Sequence, residues 1–277
     1  MDYLLINAPA KINFGLYVVS KRTDGFHDIE TIFYPLYDFA DELTFSRSDR
    51  FEFLCNDKSL EGNDNLIVKA KNLLEEYSGR QINVKIELTK IIPVGAGMGG
   101  GSSDAATTLI SLNEMFALKT DDQNLRRLAL ELGSDVPFFI KPKPSFAESR
   151  GEALTLLNFD VNLPMLIVNP GIHISTKEAY QNIKAKKASF DLKKLTGYDF
   201  NSPVDIIKHV TNDFEEYVFN AYPEIEKIKE KLYRHGAKFS LMTGSGSTVF
   251  GIFNTIEKAE KVRHLFPDHY FTFISQY

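Results

Sequence analysis

Pro93-Val94-Gly95-Ala96-Gly97-Met98-Gly99-Gly100-Gly101-Ser102-Ser103-Asp104-Ala105-Ala106 is the stretch on which the reading of this chain turns. Five glycines fall in the seven residues Gly95 to Gly101, directly ahead of an alanine-rich helical pattern. Glycine lets backbone amides converge with no Cβ in the way, and a helix start adds unpaired N–H groups and partial positive charge. That combination suits a phosphate chain. A flexible linker is the bland alternative, but linkers do not run from a strand and a proline straight into an alanine-rich helix.

Three familiar nucleotide motifs fail here. Gly95, Gly97 and Gly100 match G-x-G-x-x-G, but a dinucleotide fold needs an acid about 20 residues on, at the end of a second strand. Glu114 stands near that distance on the helix itself, and another helix follows. A Walker loop needs Lys after its last glycine, where Ser102 stands. The V-A-I-K and H-R-D elements of protein kinases are missing.

Outward from the loop, strands and helices mix. Ala10, Ile12, Phe14, Leu16 and Val18 alternate with Lys11, Asn13, Gly15, Tyr17 and Val19, which predicts a strand with Lys11 and Asn13 on its second face. Asp24-Gly25 signals a turn. Strands are expected at Ile29 to Leu36, Leu43 to Phe53, Ile82 to Leu88 and Met165 to Val168. A helix capped by Asn63 or Asp64 should end at Gly79, and Ser102 or Ser103 should cap the helix after the glycines. Further helices are expected from Asp121 to Gly133, after Ser175 with Glu178 as a capping box, and from Pro223 to Gly236. Residues 186 to 202 read as a polar excursion. The looser pattern with Pro142, Pro144, Gly151 and Pro164 suggests a boundary, placed as 1–155 and 156–277.

Composition narrows the function classes. The 277 residues are 43% hydrophobic and 25% charged, an ordinary globular balance. With 32 basic against 37 acidic residues the net charge is −5, so no bulk positive field serves nucleic acid, and no nucleic-acid partner is expected. The lone Cys55 fits a reducing cytoplasm. No targeting segment is expected. The longest uncharged window, Phe239 to Ile256, is mostly Gly, Ser, Thr and Asn, so no membrane partner is expected either. Six histidines show no zinc spacing, and neither Gly/Ser loop fits G-x-S-x-G. Lys184 to Lys187 read as a solvated face.

The run Pro93 to Ala106 resembles the central motif of the GHMP kinases, which phosphorylate small molecules with ATP. Ala8-Pro9-Ala10-Lys11-Ile12-Asn13-Phe14-Gly15-Leu16, followed by Arg22-Thr23-Asp24-Gly25-Phe26-His27, is similar to the start of the members whose acceptor is a cytidine diphosphate-linked sugar alcohol. Gly133-Ser134-Asp135-Val136-Pro137-Phe138-Phe139 resembles a second block of the same members, and Thr243 to Phe250 the third GHMP motif. Asn212-Asp213-Phe214-Glu215 also matches, with Phe214 where Leu is commoner. The resemblance spans residues 8 to 253.

The resemblance implies an α+β enzyme of two domains, the first with a left-handed β-α-β element and the second ferredoxin-like, with ATP and acceptor meeting between them. The implied reaction moves the γ-phosphoryl group of ATP to the 2-hydroxyl of the methylerythritol unit, giving the 2-phosphate, a step in non-mevalonate isoprenoid biosynthesis. Another GHMP acceptor, or a non-catalytic nucleotide- or RNA-binding module, are the alternatives. Asp135 on its own reads as a helix cap and Lys11 as a snorkelling surface lysine; the resemblance implies a base and its cationic partner. Pro93, Val94, Gly95, Ala96, Gly97, Met98, Gly99, Gly100, Gly101, Ser102 and Ser103 would hold the phosphates, with Mg²⁺ of unassigned ligands, and Asn65 would lie near the adenine. For the acceptor, the resemblance implies Asn13, with Phe26 and Tyr180 on either side of the cytosine and His27 at its edge. Core packing is the alternative for both aromatics. Phe26 stands where relatives often have Tyr, and Tyr180 where they have another aromatic.

Overall fold

The computed structural model describes residues 3–201 and 205–276, so the last residue of the polar excursion lies outside them. Within it the chain divides into two compact units, each built from separate segments. One holds the chain through Ala10, Ala40–Val94 and Gly99–Pro142; the other holds Lys11–Phe39, Gly95–Met98 and the chain from Lys143 onward.

Two long strands, β1 (Tyr3–Lys21) and β2 (His27–Arg47), supply residues to both units. Sequence patterning predicts two strands where β2 is one, because Asp38 and Asp41 interrupt the apolar run. Both acids instead serve as acceptors for neighbouring segments. Asp38 takes the Ser275 hydroxyl and the Gln276 amide. Asp41 takes the amides of Ile91 and Ile92 at 2.6 and 2.8 Å. A carboxylate so satisfied does not end a strand. The expected continuation to Phe53 breaks after Arg47, and β3 (Glu52–Cys55) is a separate strand.

In the first unit α1 (Leu66–Ser78) is followed by β4 (Val84–Thr89), which pairs in parallel with β3 and antiparallel with the second half of β2, Leu43 opposite Leu88. The cap of α1 is Asn65, not Asn63 or Asp64: its Oδ1 accepts the Ile67 amide at 2.9 Å. Gly79 closes the helix in the left-handed region at φ 64°. Helix α2 (Gly100–Met115) begins earlier than expected, on Gly99 at φ 70°, and no side chain caps it. Ser102 and Ser103 therefore lie inside its first turn. The next two helices are α3 (Asp122–Leu132), capped by Asp121 as expected, and α4 (Val136–Ile140). Gly133 ends α3 in extended backbone at φ 164°, not left-handed. Helix α2 packs on α1, α3 and α4, and its Ala105, Leu109 and Leu112 are buried.

In the second unit β5 (Ser145–Glu148) pairs with the first half of β2 and with β6 (Ala153–Leu156). Then follow β7 (Met165–Asn169), α5 (Thr176–Gln181), α6 (Phe214–Ala221), α7 (Pro223–Arg234), β8 (Phe239–Met242), β9 (Val249–Ile252), α8 (Ile256–Arg263) and β10 (Phe271–Ser275). Their sheet runs β10-β7-β9-β8, antiparallel throughout. Numbered within this sheet that order is 4-1-3-2 with helices after the first and third strands, the β-α-β-β-α-β ferredoxin-like arrangement. Ser175 caps α5 through the Glu178 amide, while the Glu178 carboxylate takes the Tyr217 hydroxyl. Proline at the first position of α7 costs no helical hydrogen bond.

Helix α7 lies on β8 and β9, with Leu232 against Gly251, where a Cβ would sit 3.3 Å from the leucine. Leu232→Ala should cost about 2–5 kcal/mol by urea unfolding, because Leu232 is fully buried and the strand cannot close the gap.

Candidate functional site

The second unit gathers the polar residues of β1. Lys11 and Asn13 share the face opposite Ile12 and Phe14, and they are buried: Lys11 is 3% exposed. The surface lysine that spacing alone suggests is not what forms. Lys11 Nζ donates to Asn13 Oδ1 at 2.7 Å and to the Gly97 carbonyl at 3.3 Å, and lies 4.9 Å over the Phe33 ring. The Lys11 amide also donates to the Met98 carbonyl at 2.9 Å, tying β1 to the glycine loop.

Asn13 is the hub of this region. Its Oδ1 also accepts the Gly244 amide at 3.1 Å, its own amide donates to Thr243 Oγ1 at 2.9 Å, and its Nδ2 donates to Thr31 Oγ1 at 2.9 Å. Thr31 Oγ1 donates in turn to the Gly15 carbonyl at 2.5 Å. Thr243 Oγ1 has one proton, within reach of Asn13 Oδ1 at 3.2 Å and Gly97 O at 3.3 Å. The two glycine loops meet backbone to backbone. A Cβ on Gly97 would stand 2.4 Å from the Thr243 carbonyl, and one on Gly244 would stand 2.9 Å from the Gly97 carbonyl.

The turn that carries Phe26 and His27 is held by Arg22, whose guanidinium pairs with Asp24 and Asp28 at 3.0 Å each. Asp24 in turn accepts the Phe26 amide. Phe26 is 47% exposed, which removes core packing as its role, and the Arg150 guanidinium lies 3.8 Å over its ring. His27 and Tyr180 are brought together as a stacked pair, 4.9 Å between centroids, and Tyr180 meets Phe214 edge-on. Partial burial, reinforced by Lys21, holds His27 below its ordinary pKa.

In the first unit the loop delivers the chain to α2. Its uncapped first turn leaves backbone amides without helical acceptors. Ser103 Oγ and Asp104 Oδ1 are buried with no hydrogen-bond partner, hard oxygen atoms of the kind a dication accepts. Among the described residues no group of three or more His, Cys, Asp or Glu side chains is placed to hold a metal. Asn65, expected near the adenine, spends its side chain on the α1 cap and on the Leu60 carbonyl at 2.9 Å. Asp135 precedes α4 and makes no side-chain cap hydrogen bond, so the cap reading is not realised.

Sequence reasoning missed one cluster in this unit. Lys90 Nζ reaches Asp41 at 2.5 Å and Asp104 at 2.8 Å, bridging the strand that enters the glycine loop and the helix that leaves it. Burial works against the charge on Lys90, but Asp104 and Asp41 together hold its pKa above the ordinary value. Burial pushes the Asp104 carboxyl up against the pull of Lys90. Gly100 is needed for this approach, since a Cβ there would stand 2.8 Å from Lys90 Nζ. The available signal was charge inside apolar runs: Asp41 after Phe39-Ala40 and Lys90 before Ile91-Ile92.

Gly97 and Gly25 separate two costs. Both have positive φ, at 77° and 88°, but nothing lies within 4 Å of a Cβ on Gly25. Gly25→Ala should cost about 1–2 kcal/mol in urea unfolding, the backbone price alone. Gly97→Ala should cost more, by about 1–3 kcal/mol of overpacking against the Thr243 carbonyl.

Residues 65–142 match the model of the GHMP kinases N terminal domain, and residues 198–270 that of the GHMP kinases C terminal region. The 4-diphosphocytidyl-2-C-methyl-D-erythritol kinase of Chlorobium phaeobacteroides (strain BS1) is 41% identical over 275 residues, covering 98% of this chain and 96% of its own. A crystal structure of 4-(cytidine 5'-diphospho)-2C-methyl-D-erythritol kinase superposes with a TM-score of 0.78 at 31% identity over 98% of each chain. Homoserine kinase from Cytophaga hutchinsonii reaches 0.73 at 18% identity, covering 99% of this chain and 95% of its own, a likeness of fold.

Proposed function

The chain belongs to the GHMP kinases, among the 4-diphosphocytidyl-2-C-methyl-D-erythritol kinases, and from that membership we propose that it transfers the γ-phosphoryl group of ATP to the 2-hydroxyl of 4-diphosphocytidyl-2-C-methyl-D-erythritol. The observation that carries this reading is the buried ammonium of Lys11 at the glycine loop, with Nζ within hydrogen-bond reach of Asn13 Oδ1 and the Gly97 carbonyl. Burying a charge is expensive. Such a cation beside a loop of glycine amides suits a reaction in which negative charge moves.

In this reading Asp135 takes the proton of the 2-hydroxyl as the hydroxyl oxygen attacks the γ-phosphorus and the bond to the β-phosphate oxygen breaks to release ADP, while Lys11 offsets the charge on the attacking oxygen and the transferring group. The amides of Gly95 to Gly101 and the head of α2 hold the β- and γ-phosphates, as at other helix N-termini. Mg²⁺ is assigned as arriving with ATP, where it would neutralise phosphate charge; Ser103 Oγ and Asp104 Oδ1 are the protein atoms that fit it. Phe26, His27 and Tyr180 are assigned to the cytosine, with the stacked His27–Tyr180 pair and the exposed Phe26 ring as support. Residues 1–155 are assigned as the ATP-binding domain and 156–277 as the C-terminal domain, in keeping with family matches on either side of that boundary. No helix among the described residues is long and apolar enough to cross a membrane. The cytoplasm, and a small molecule in place of a nucleic acid, are the remaining assignments, supported by the lone buried Cys55 and the net charge of −5.

A coupled ATP-consumption assay tests the reading. Turnover is expected with the cytidyl substrate and not with mevalonate or homoserine; turnover with either of those would move the chain to another GHMP branch. Asp135→Asn and Lys11→Ala should each lower kcat by about 10²–10⁴-fold, and near-normal turnover in either would remove that residue from the mechanism. Tyr180→Ala should raise the KM for the cytidyl substrate roughly tenfold, the worth of one stacked base, with the KM for ATP unchanged.

A further inference from the structure

The Asn212-Asp213-Phe214-Glu215 run has no part in the roles assigned above, yet three of its side chains are buried polar groups. It is stitched to β1 just beyond Asn13. The Leu16 amide donates to the Thr211 carbonyl at 2.9 Å and the Asp213 amide to the Leu16 carbonyl at 2.8 Å. Asp213 Oδ2 accepts the Val18 amide at 2.9 Å. On its other side the run grips the end of β8. Glu215 Oε1 accepts the Met242 amide at 3.0 Å, and its Oε2 takes Lys229 Nζ at 2.6 Å.

Asn212 makes the decisive contacts. Its Nδ2 donates to the Met242 carbonyl and to the Gly244 carbonyl, both at 2.8 Å, while its Oδ1 accepts the Phe214 amide at 3.0 Å. Both protons of one primary amide are thus spent on the carbonyls flanking Thr243. Among side chains of this size only Asn offers two donors and an acceptor on one planar group. Thr243 and Gly244 are the residues whose hydroxyl and amide meet Asn13, and Asn13 Oδ1 receives Lys11 Nζ.

We propose that Asn212 is a positioning residue for phosphoryl transfer: by fixing the two carbonyls around Thr243 it sets Thr243 and Gly244 against Asn13, and through Asn13 it sets the ammonium of Lys11. The proposal rests on the reading of Lys11 as catalytic. Satisfying both carbonyls also stabilises the fold, so the positioning role is read from kcat and not from stability. Asn212→Asp keeps the shape and the Phe214 contact but turns an oxygen toward two carbonyls.

The test uses the full-length chain with ATP and the cytidyl substrate. Asn212→Asp and the smaller Asn212→Ser should lower kcat by about 30-fold or more, with both KM values held within about threefold. In a Lys11→Ala background the same substitution should cost less than about threefold further, since it acts through the missing ammonium. Leu232→Ala, which loses stability elsewhere in the same unit, should leave kcat per folded molecule unchanged. Wild-type kcat in both Asn212 variants overturns the proposal, and so does an undiminished loss in the Lys11→Ala background. Near-normal kcat in Lys11→Ala alone instead overturns the reading of Lys11. If neither Asn212 variant folds, hydrogen exchange of the wild-type chain decides: the Gly244 amide should exchange as slowly as those of β8, and fast exchange there overturns the proposal.

Discussion

A lysine ammonium withdrawn from water must be held by oxygen atoms arranged in advance, and this requirement shapes the second unit around Lys11. A buried charge without hydrogen bonds costs several kcal/mol, more than most domains can spare. Asn13 Oδ1 and the Gly97 carbonyl are two of the atoms that hold it, and the face of Phe33 lies beneath. Each brings a constraint of its own. Asn13 must keep its amide oriented, which Thr31, Thr243 and Gly244 do from three sides. Gly97 must present its carbonyl while lying against the Thr243 backbone, so it can carry no Cβ.

Buried acids elsewhere follow the same logic with the opposite sign. Asp41, Asp213 and Glu215 all accept backbone amides from segments distant in sequence, and the exposed Asp38 does the same. Each joins two pieces of chain with a charge-assisted bond, stronger than a neutral one and more exact in direction. Lys90 adds a cation shared by Asp41 and Asp104, so the entry and exit of the glycine loop in the first unit are fastened by one side chain. Aliphatic packing could supply comparable stability, but it would not set backbone carbonyls and amides to a few tenths of an ångström.

The aromatic residues assigned to the base are divided in their surroundings. His27 and Tyr180 stack on each other, and Tyr180 rests on the buried Phe214. Phe26 stands on an exposed turn under the Arg150 guanidinium. Tyr180 is thus backed by the core, while Phe26 and His27 come from the turn that Arg22 holds.

Much of this was legible in the chain before any coordinates. The glycine run before an alanine-rich helix, the alternation of β1, the caps at Asp121 and Ser175, and proline and glycine at the two ends of α7 are local patterns. Local patterns survive in sequence because neighbouring residues make the contacts that enforce them. The length of β2 did not: Asp38 and Asp41 look like strand breakers until their partners, at Ser275, Gln276, Ile91 and Ile92, are known. Nor could spacing distinguish a snorkelling Lys11 from a buried one, or show that Asn65 caps α1 and that the Asp135 side chain makes no cap hydrogen bond to α4. The sequence by itself determined the helices, the order of the motifs and the chemistry they could carry. Only the tertiary structure decided which polar side chains are withdrawn from water and what satisfies them, because many of those partners, such as Gly97 for Lys11 and Thr243 for Asn13, lie tens to hundreds of residues away and no periodicity records them.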